Sequence, residues 1–249
     1  MVNTMKELIS ISQLSVGYHK SGENLAVLKD LNLSFHASQL VGIVGLNGVG
    51  KSTLLKSIAG LLPLISGEII IDGIKVQNAS YELLAKKVSI VLTQKFGGFN
   101  LRVIDVVRAG RMPYTNAFNQ LTPAQEAVVE SAITMCGLGK YRNTYISELS
   151  DGYFQRTVIA KALAQQTEVM LLDEPSAYLD YASKNELMIM LKGLCEEEKK
   201  CILLSSHDLD ILLKYCHQLL VINEQEVSLI AVGEAKQNKA FMAIAKGFI

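Results

Sequence analysis

The chain has 249 residues, 49% hydrophobic and 19% charged, so it can bury a substantial core and does not read as disordered. Lys plus Arg and Asp plus Glu both number 24, a balance that gives no reason to expect nucleic acid or an acidic membrane surface as partner. The N-terminal MVNTMKELISISQL carries Lys6 and Glu7 instead of a long apolar stretch, and no apolar run approaches the ~18 residues of a spanning helix, so the expectation is a soluble, cytoplasmic chain.

In chain order, residues 8–16, 31–35 and 68–71 alternate apolar and polar side chains and predict an antiparallel layer. The runs at 40–44, 88–92, 169–172, 201–206 and 219–223 are continuously apolar, as strands covered on both faces are. Helical patterns fall at 51–59, 123–137, 154–165, 183–198 and 208–216; Thr122, Pro123 and Gln125 form a capping box with proline at the first helical position. Short apolar runs alternating with helices predict an α/β fold with a mainly parallel sheet. Residues from about 96 to 155 show helix signals without a good strand and are read as a helical insert. EEEKK at 196–200 reads as the solvated end of a helix, and the C-terminal amphipathic stretch is expected to dock Phe241 and Ile244 on the sheet. Cys136, Cys195, Cys201 and Cys216 have no metal-ligand spacing and read as buried thiols.

GLNGVGKS at 45–52 follows an apolar strand and opens a helix, the context a phosphate loop requires. Gly45, Gly48 and Gly50 let successive N–H groups, Asn47 among the loop residues, converge on one concavity, and the helix adds its positive end. In that geometry Lys51 reaches the β- and γ-phosphates, Ser52 ligates Mg²⁺ and Thr53 touches the α-phosphate of a nucleoside triphosphate. VMLLDEP at 169–175 is a strand ending in two carboxylates: Asp173 to hold the Mg²⁺ shell and Glu174 to polarise the attacking water. His207 after CILLSS and Gln94 after VSIVL add polar groups at the same edge, where ligands of open α/β sheets sit.

Taken in order, the phosphate loop at 45–52, Gln94, LSDGY at 149–153, VMLLDE at 169–174, AYLD at 177–180 and His207 resemble the nucleotide-binding subunit of an ATP-binding cassette transporter. The resemblance spans essentially the whole chain. It implies a P-loop NTPase (RecA-like) core at 1–95 and 156–249 carrying the antiparallel layer, with 96–155 as the helical signature subdomain. It also implies a homodimer in which two ATP molecules lie between head-to-tail subunits. In that dimer Ser150 and Gly152 of one subunit face the phosphate held by the other's Lys51, and Asp180 belongs to the composite site. The resemblance further places Tyr18 on the adenine, Gln94 and Ser52 with Asp173 on Mg²⁺, and Glu174 and His207 at the hydrolysed phosphate.

Asp151 and Tyr153 depart from the family's usual LSGGQ; Asp151 is expected to point outward and cap the helix. Gly110, Arg111, Pro113 and Tyr114 are similar to a segment of the importers of iron-siderophore complexes, haem and cobalamin, and read as a turn presenting Arg and Tyr to a membrane permease. That class implies permease subunits, an extracytoplasmic substrate-binding protein and a place on the cytoplasmic face of the inner membrane. Other importers, exporters and cassette ATPases that never touch a membrane stay open as alternatives.

Overall fold

A computed structural model describes residues 5–20, 23–92, 100–115, 120–223 and 226–247. The strands are β1 Glu7–Lys20, β2 Glu23–His36, β3 Gln39–Val44, β4 Ser66–Ile71, β5 Ile74–Lys75, β6 Val88–Val91, β7 Val169–Leu172, β8 Cys201–Ser205, β9 Gln218–Ile222 and β10 Val227–Ala231. The helices are α1 Lys51–Ile58, α2 Tyr81–Ala85, α3 Val103–Arg108, α4 Pro123–Met135, α5 Asp151–Ala164, α6 Tyr181–Glu198, α7 Leu209–Tyr215 and α8 Lys239–Gly247. Two sheets result. One is antiparallel, in the order β2-β1-β4-β5, and the other runs β10-β9-β3-β8-β7-β6. In the second sheet β9, β3, β8, β7 and β6 are parallel and β10 adds an antiparallel edge.

β7 and β8 are buried at every residue, which accounts for the apolar side chains from Val169 to Leu172 and from Cys201 to Leu204. One face of this sheet packs with β1, β2, β4 and α1 around Phe35, Ile43, Leu54 and Ile58. The other packs with α3 to α8 around Leu40, Met188 and Leu204. α8 docks here through Phe241 and Ile244, each 3% exposed, as the amphipathic pattern suggests. The four cysteines are free and buried, and burial pushes the thiols of Cys136, Cys195 and Cys216 up to about 12, so they act as small apolar side chains.

The β1–β2 hairpin is longer than the runs at 8–16 and 31–35. Gly17, just past the first of these runs, is a bulge position: a Cβ there would lie 2.0 Å from the Leu25 carbonyl oxygen, so only glycine lets the strands continue. α2, β5 and β10 escape the sequence reading because they are short and mostly exposed or half-buried, without the unbroken apolar run that marks the equally short β6 to β9. The EEEKK run is solvated at its glutamates, but Lys200 is buried and donates to the Thr167 carbonyl at 2.9 Å.

β3, which delivers the phosphate loop, is anchored at its start by His217. The Leu40 N–H donates to His217 Nδ1 at 2.9 Å, which requires that nitrogen to be unprotonated. Burial, and secondarily the charge of Lys192, lowers the His217 pKa from 6.5. With the folded value below the unfolded one, this contribution to stability is fully present above the unfolded pKa and is lost as pH falls through the folded pKa. Thermal melts between about pH 7 and pH 5 should therefore show a falling Tm. In His217→Asn, whose Oδ1 takes the place of Nδ1 as acceptor, that slope should flatten; an unchanged slope would assign it to other groups.

Candidate ATP site

β3 ends at Val44, and the chain turns through 45–50 into α1. Gly48 and Gly50 have φ of 78° and 113°, in the region that side chains with a Cβ disfavour. Gly45 serves a different purpose: a Cβ would lie 2.6 Å from the Ile222 carbonyl oxygen. Gly50 caps α1 without a side-chain bond, and the first turn carries no acidic residue, so nothing in that turn neutralises the helix's positive end.

Lys51 is 6% exposed and its ammonium donates to the carbonyls of Gly45 at 2.7 Å and Leu46 at 3.1 Å. Burial lowers its pKa, while Glu174 and then Asp173 act in the opposite direction. Two carboxylates from another strand thus share their field with the loop lysine. Thr53 is buried, Ser52 half-buried and Asn47 exposed. The half-exposed Tyr18 reaches the start of α1 from β1, its hydroxyl 3.0 Å from Thr53 Oγ1.

Asp173 and Glu174 follow β7 directly. The Asp173 N–H donates to the Val91 carbonyl at 2.8 Å, tying this strand end to that of β6. Glu174 takes a left-handed φ of 49°, and His207 Nε2 lies 2.6 Å from its Oε1. Lys184 of α6 holds Asp208, next to the histidine, at 2.9 Å. Gln94 lies outside the described residues, which resume at Asn100.

Ser150 is the N-cap of α5, which therefore starts three residues earlier than its apolar period suggests. Asp151 is exposed and lines the same groove as Ser150 and Gly152; it occupies the first helical position, and Ser150, not Asp151, is the cap. Tyr153 has a local explanation: its ring packs 4.1 Å from that of Tyr141, joining α5 to the turn after α4. Ser150, Gly152 and Asp180 line one groove of about 380 Å³ with Tyr178 and Leu179. Glu174 and His207 line another cavity, and the two share no residue. Asp180 also caps α6, accepting from the Ser183 N–H at 2.8 Å, which holds its carboxyl below the usual range.

The Arg111 segment is not the presented turn that composition suggests. Arg111 is 6% exposed and donates to the Ala164 carbonyl at 2.7 Å and to Gln166 at 3.0 Å, its guanidinium 4.1 Å from the Tyr114 ring centre. Tyr114 donates to the Gln165 carbonyl at 3.0 Å. Together they cap the C-terminal end of α5, where exposed carbonyls favour a cation. Interfaces and buried caps draw on the same residue types, so composition could not separate them. Arg111→Met should cost about 2 kcal/mol of stability by stripping charged hydrogen bonds from buried carbonyls. Chemical denaturation measures this, and a change below about 0.5 kcal/mol, the surface-substitution range, would rule out the capping role.

The sequence pattern of the ABC transporter family matches residues 28–177 of this phosphate-loop and carboxylate framework. The chain belongs to that family. Consistent with this, it is 32% identical over 219 residues to the iron(3+)-hydroxamate import ATP-binding protein FhuC of Bacillus subtilis, covering 88% of this chain and 80% of the relative. It is 34% identical over 201 residues to the cobalamin import ATP-binding protein BtuD of Halobacterium salinarum, covering 81% of this chain and 50% of the relative. The dimeric, post-hydrolysis structure of the ATP-binding cassette MJ0796 with ADP and Pi superposes with a TM-score of 0.78 at 26% identity, over 90% of this chain and 99% of that one. The chain is an ATP-binding cassette ATPase, with the P-loop fold and the added antiparallel sheet that its motifs predict.

Proposed function

We propose that this cassette hydrolyses ATP to drive a membrane importer of a metal chelate, haem or cobalamin, working as a head-to-tail homodimer on the cytoplasmic face of the inner membrane. The observation that carries the dimer is the division of its motifs: Glu174 and His207 open on one cavity, and Ser150, Gly152 and Asp180 on another. A second copy turned about a two-fold axis supplies the missing half to each. The chelate class rests on the names of relatives such as the hydroxamate and cobalamin import proteins. The helical subdomain at 96–155 is the part we assign to the permease. Its exposed Met112 and Leu101, rather than the buried Arg111, are side chains offered outward. A substrate-binding protein completes the system.

Among the described residues no three or more His, Cys, Asp or Glu side chains form a metal cage. A buried carboxylate at Asp173 with the Ser52 hydroxyl suits a Mg²⁺ that keeps water and phosphate oxygens as its other ligands. A Mg²⁺ held by these residues would neutralise negative charge on the phosphates. Lys51 leaves its loop carbonyls for the phosphates, Tyr18 stacks on adenine, and the loop N–H groups hold the chain of phosphates. Glu174, oriented by His207, takes the proton of the attacking water. The partner's Ser150 and Gly152 stabilise the transferring phosphoryl group from a helix N-terminus. Asp151 lines the same groove as Ser150 and Gly152, so its negative charge stands on the surface assigned to the partner's phosphates.

Affinity capture of the tagged chain from detergent-solubilised membranes tests the transport reading. Stoichiometric recovery of a many-helix permease supports it, and supplies the subunit on which chelate transport is then assayed. Recovery of ribosomal or DNA-repair proteins instead would overturn transport and leave the ATPase standing.

A further inference from the structure

Ser205 ends β8 after Cys-Ile-Leu-Leu, and its side chain is fully buried. A hydroxyl at such a place is costly unless its hydrogen-bonding capacity is used. Here it is used twice, and on consecutive residues of the hydrolytic centre. Ser205 Oγ donates to Asp173 Oδ1 at 2.8 Å and accepts from the Glu174 backbone N–H at 2.9 Å. The strands explain the meeting: β7 and β8 run parallel with Leu172 opposite Leu204, and Asp173 and Ser205 are the next residues of each. The Glu174 backbone that Ser205 holds is the one with φ of 49°, so a strained conformation is pinned where a carboxylate must be aimed.

We propose that Ser205 is a positioning residue for hydrolysis, its single hydroxyl fixing the Asp173 carboxylate and the Glu174 backbone to each other so that the two act as one unit. The inference rests on the reading of Asp173 as the Mg²⁺ holder and Glu174 as the group that polarises water. Asp173 is kept in one rotamer by a donor that cannot be replaced by solvent at this depth. Glu174 is kept in a conformation that its own side chain disfavours. Without the hydroxyl the carboxylate gains rotamers and the backbone N–H loses its acceptor, and both changes loosen the geometry in which the phosphates and the water are held. Neither change removes a hydrogen bond of the loop that grips the nucleotide, whose Lys51 is held by the Gly45 and Leu46 carbonyls.

The test uses the full chain with a non-hydrolysable ATP analogue and Mn²⁺ as a paramagnetic stand-in for Mg²⁺. Ser205→Ala should weaken Mn²⁺ binding in the presence of the analogue about tenfold, the scale of one charge-assisted hydrogen bond, and lower kcat by a similar factor. Affinity for the analogue without metal should stay within about twofold, a change too small to mark a lost contact. Ser205→Thr keeps the hydroxyl and should restore both quantities; Ser205→Cys, with its weaker donor, should fall between. Ser89→Ala is the control, because Ser89 is an equally buried hydroxyl on the same sheet, 2.9 Å from Thr167 Oγ1. Wild-type Mn²⁺ affinity and kcat in Ser205→Ala, with Asp173→Asn weakened, would overturn the role of Ser205 alone. Equal losses of metal-free analogue binding in Ser205→Ala and Ser89→Ala would reduce it to general packing, which also overturns it. Unchanged Mn²⁺ binding in Asp173→Asn would remove the metal reading and this inference with it, a failure visible without any Ser205 variant.

Discussion

Glu174→Gln is expected to leave ATP binding intact and to lower turnover by about a hundredfold or more, the contribution of a positioned general base. The amide matches the carboxylate in shape, and backbone contacts fix the residue: its N–H meets Ser205 Oγ at 2.9 Å whichever side chain is present. Lys51 is held by the Gly45 and Leu46 carbonyls, so the loop keeps its form. What changes is basicity, because a neutral amide cannot take the proton of water. The substitution also removes one of the two carboxylate fields that sustain the Lys51 charge, so the ammonium pKa should fall further, not rise. Binding of a fluorescent ATP analogue and steady-state phosphate release read the two effects separately. Unchanged turnover would take Glu174 out of the base role; lost binding would make it a structural element of the loop.

The candidate ATP site was legible in the sequence as a set of motifs because its residues are contiguous at strand ends. GLNGVGKS and VMLLDE need only the strands before them to be placed, and buried parallel strands announce themselves as unbroken apolar runs. Signals failed where a structural task and a functional one share residue types. Arg111 and Tyr114 are chosen alike for interfaces and for capping a buried helix end, and only the burial of Arg111 distinguishes them. Ser205 lies within CILLSS, where the sequence pattern assigns it no role. The available hint was a polar residue interrupting an apolar strand just before His207, but its partners lie 31 and 32 residues away in sequence. The apolar period marks α5 only from Phe154, whereas the signature residues place its start at Ser150, where the cap lies. Tyr153 was anomalous only in isolation: its partner Tyr141 comes from the preceding turn, and nothing in the local pattern points there.

Gly152→Arg should abolish ATP hydrolysis in a chain that still folds and still binds nucleotide. Gly152 lies at the start of α5 beside the 178–180 turn, where even a Cβ would come 3.3 Å from Leu179 Cδ2. An arginine has to extend into the groove of about 380 Å³ and occupy the surface assigned to the partner's phosphates. The loop around Lys51 shares no lining residue with that groove, so nucleotide binding to the single chain is preserved. Lys51→Ala should also abolish hydrolysis, but by weakening the grip on the phosphates within its own chain. If each site is built from two chains, the defects complement each other. In an equimolar mixture about half the dimers are mixed, and each has one site with both faults and one with neither, so activity should return to at most about a quarter of wild type. Subunit exchange is allowed before ATP is added, and phosphate release is followed against each variant alone. Recovery shows that Ser150 and Gly152 act across the interface. No recovery, with exchange verified by a tag on one variant, would mean that both groups serve the same chain's ATP and that the head-to-tail arrangement is wrong.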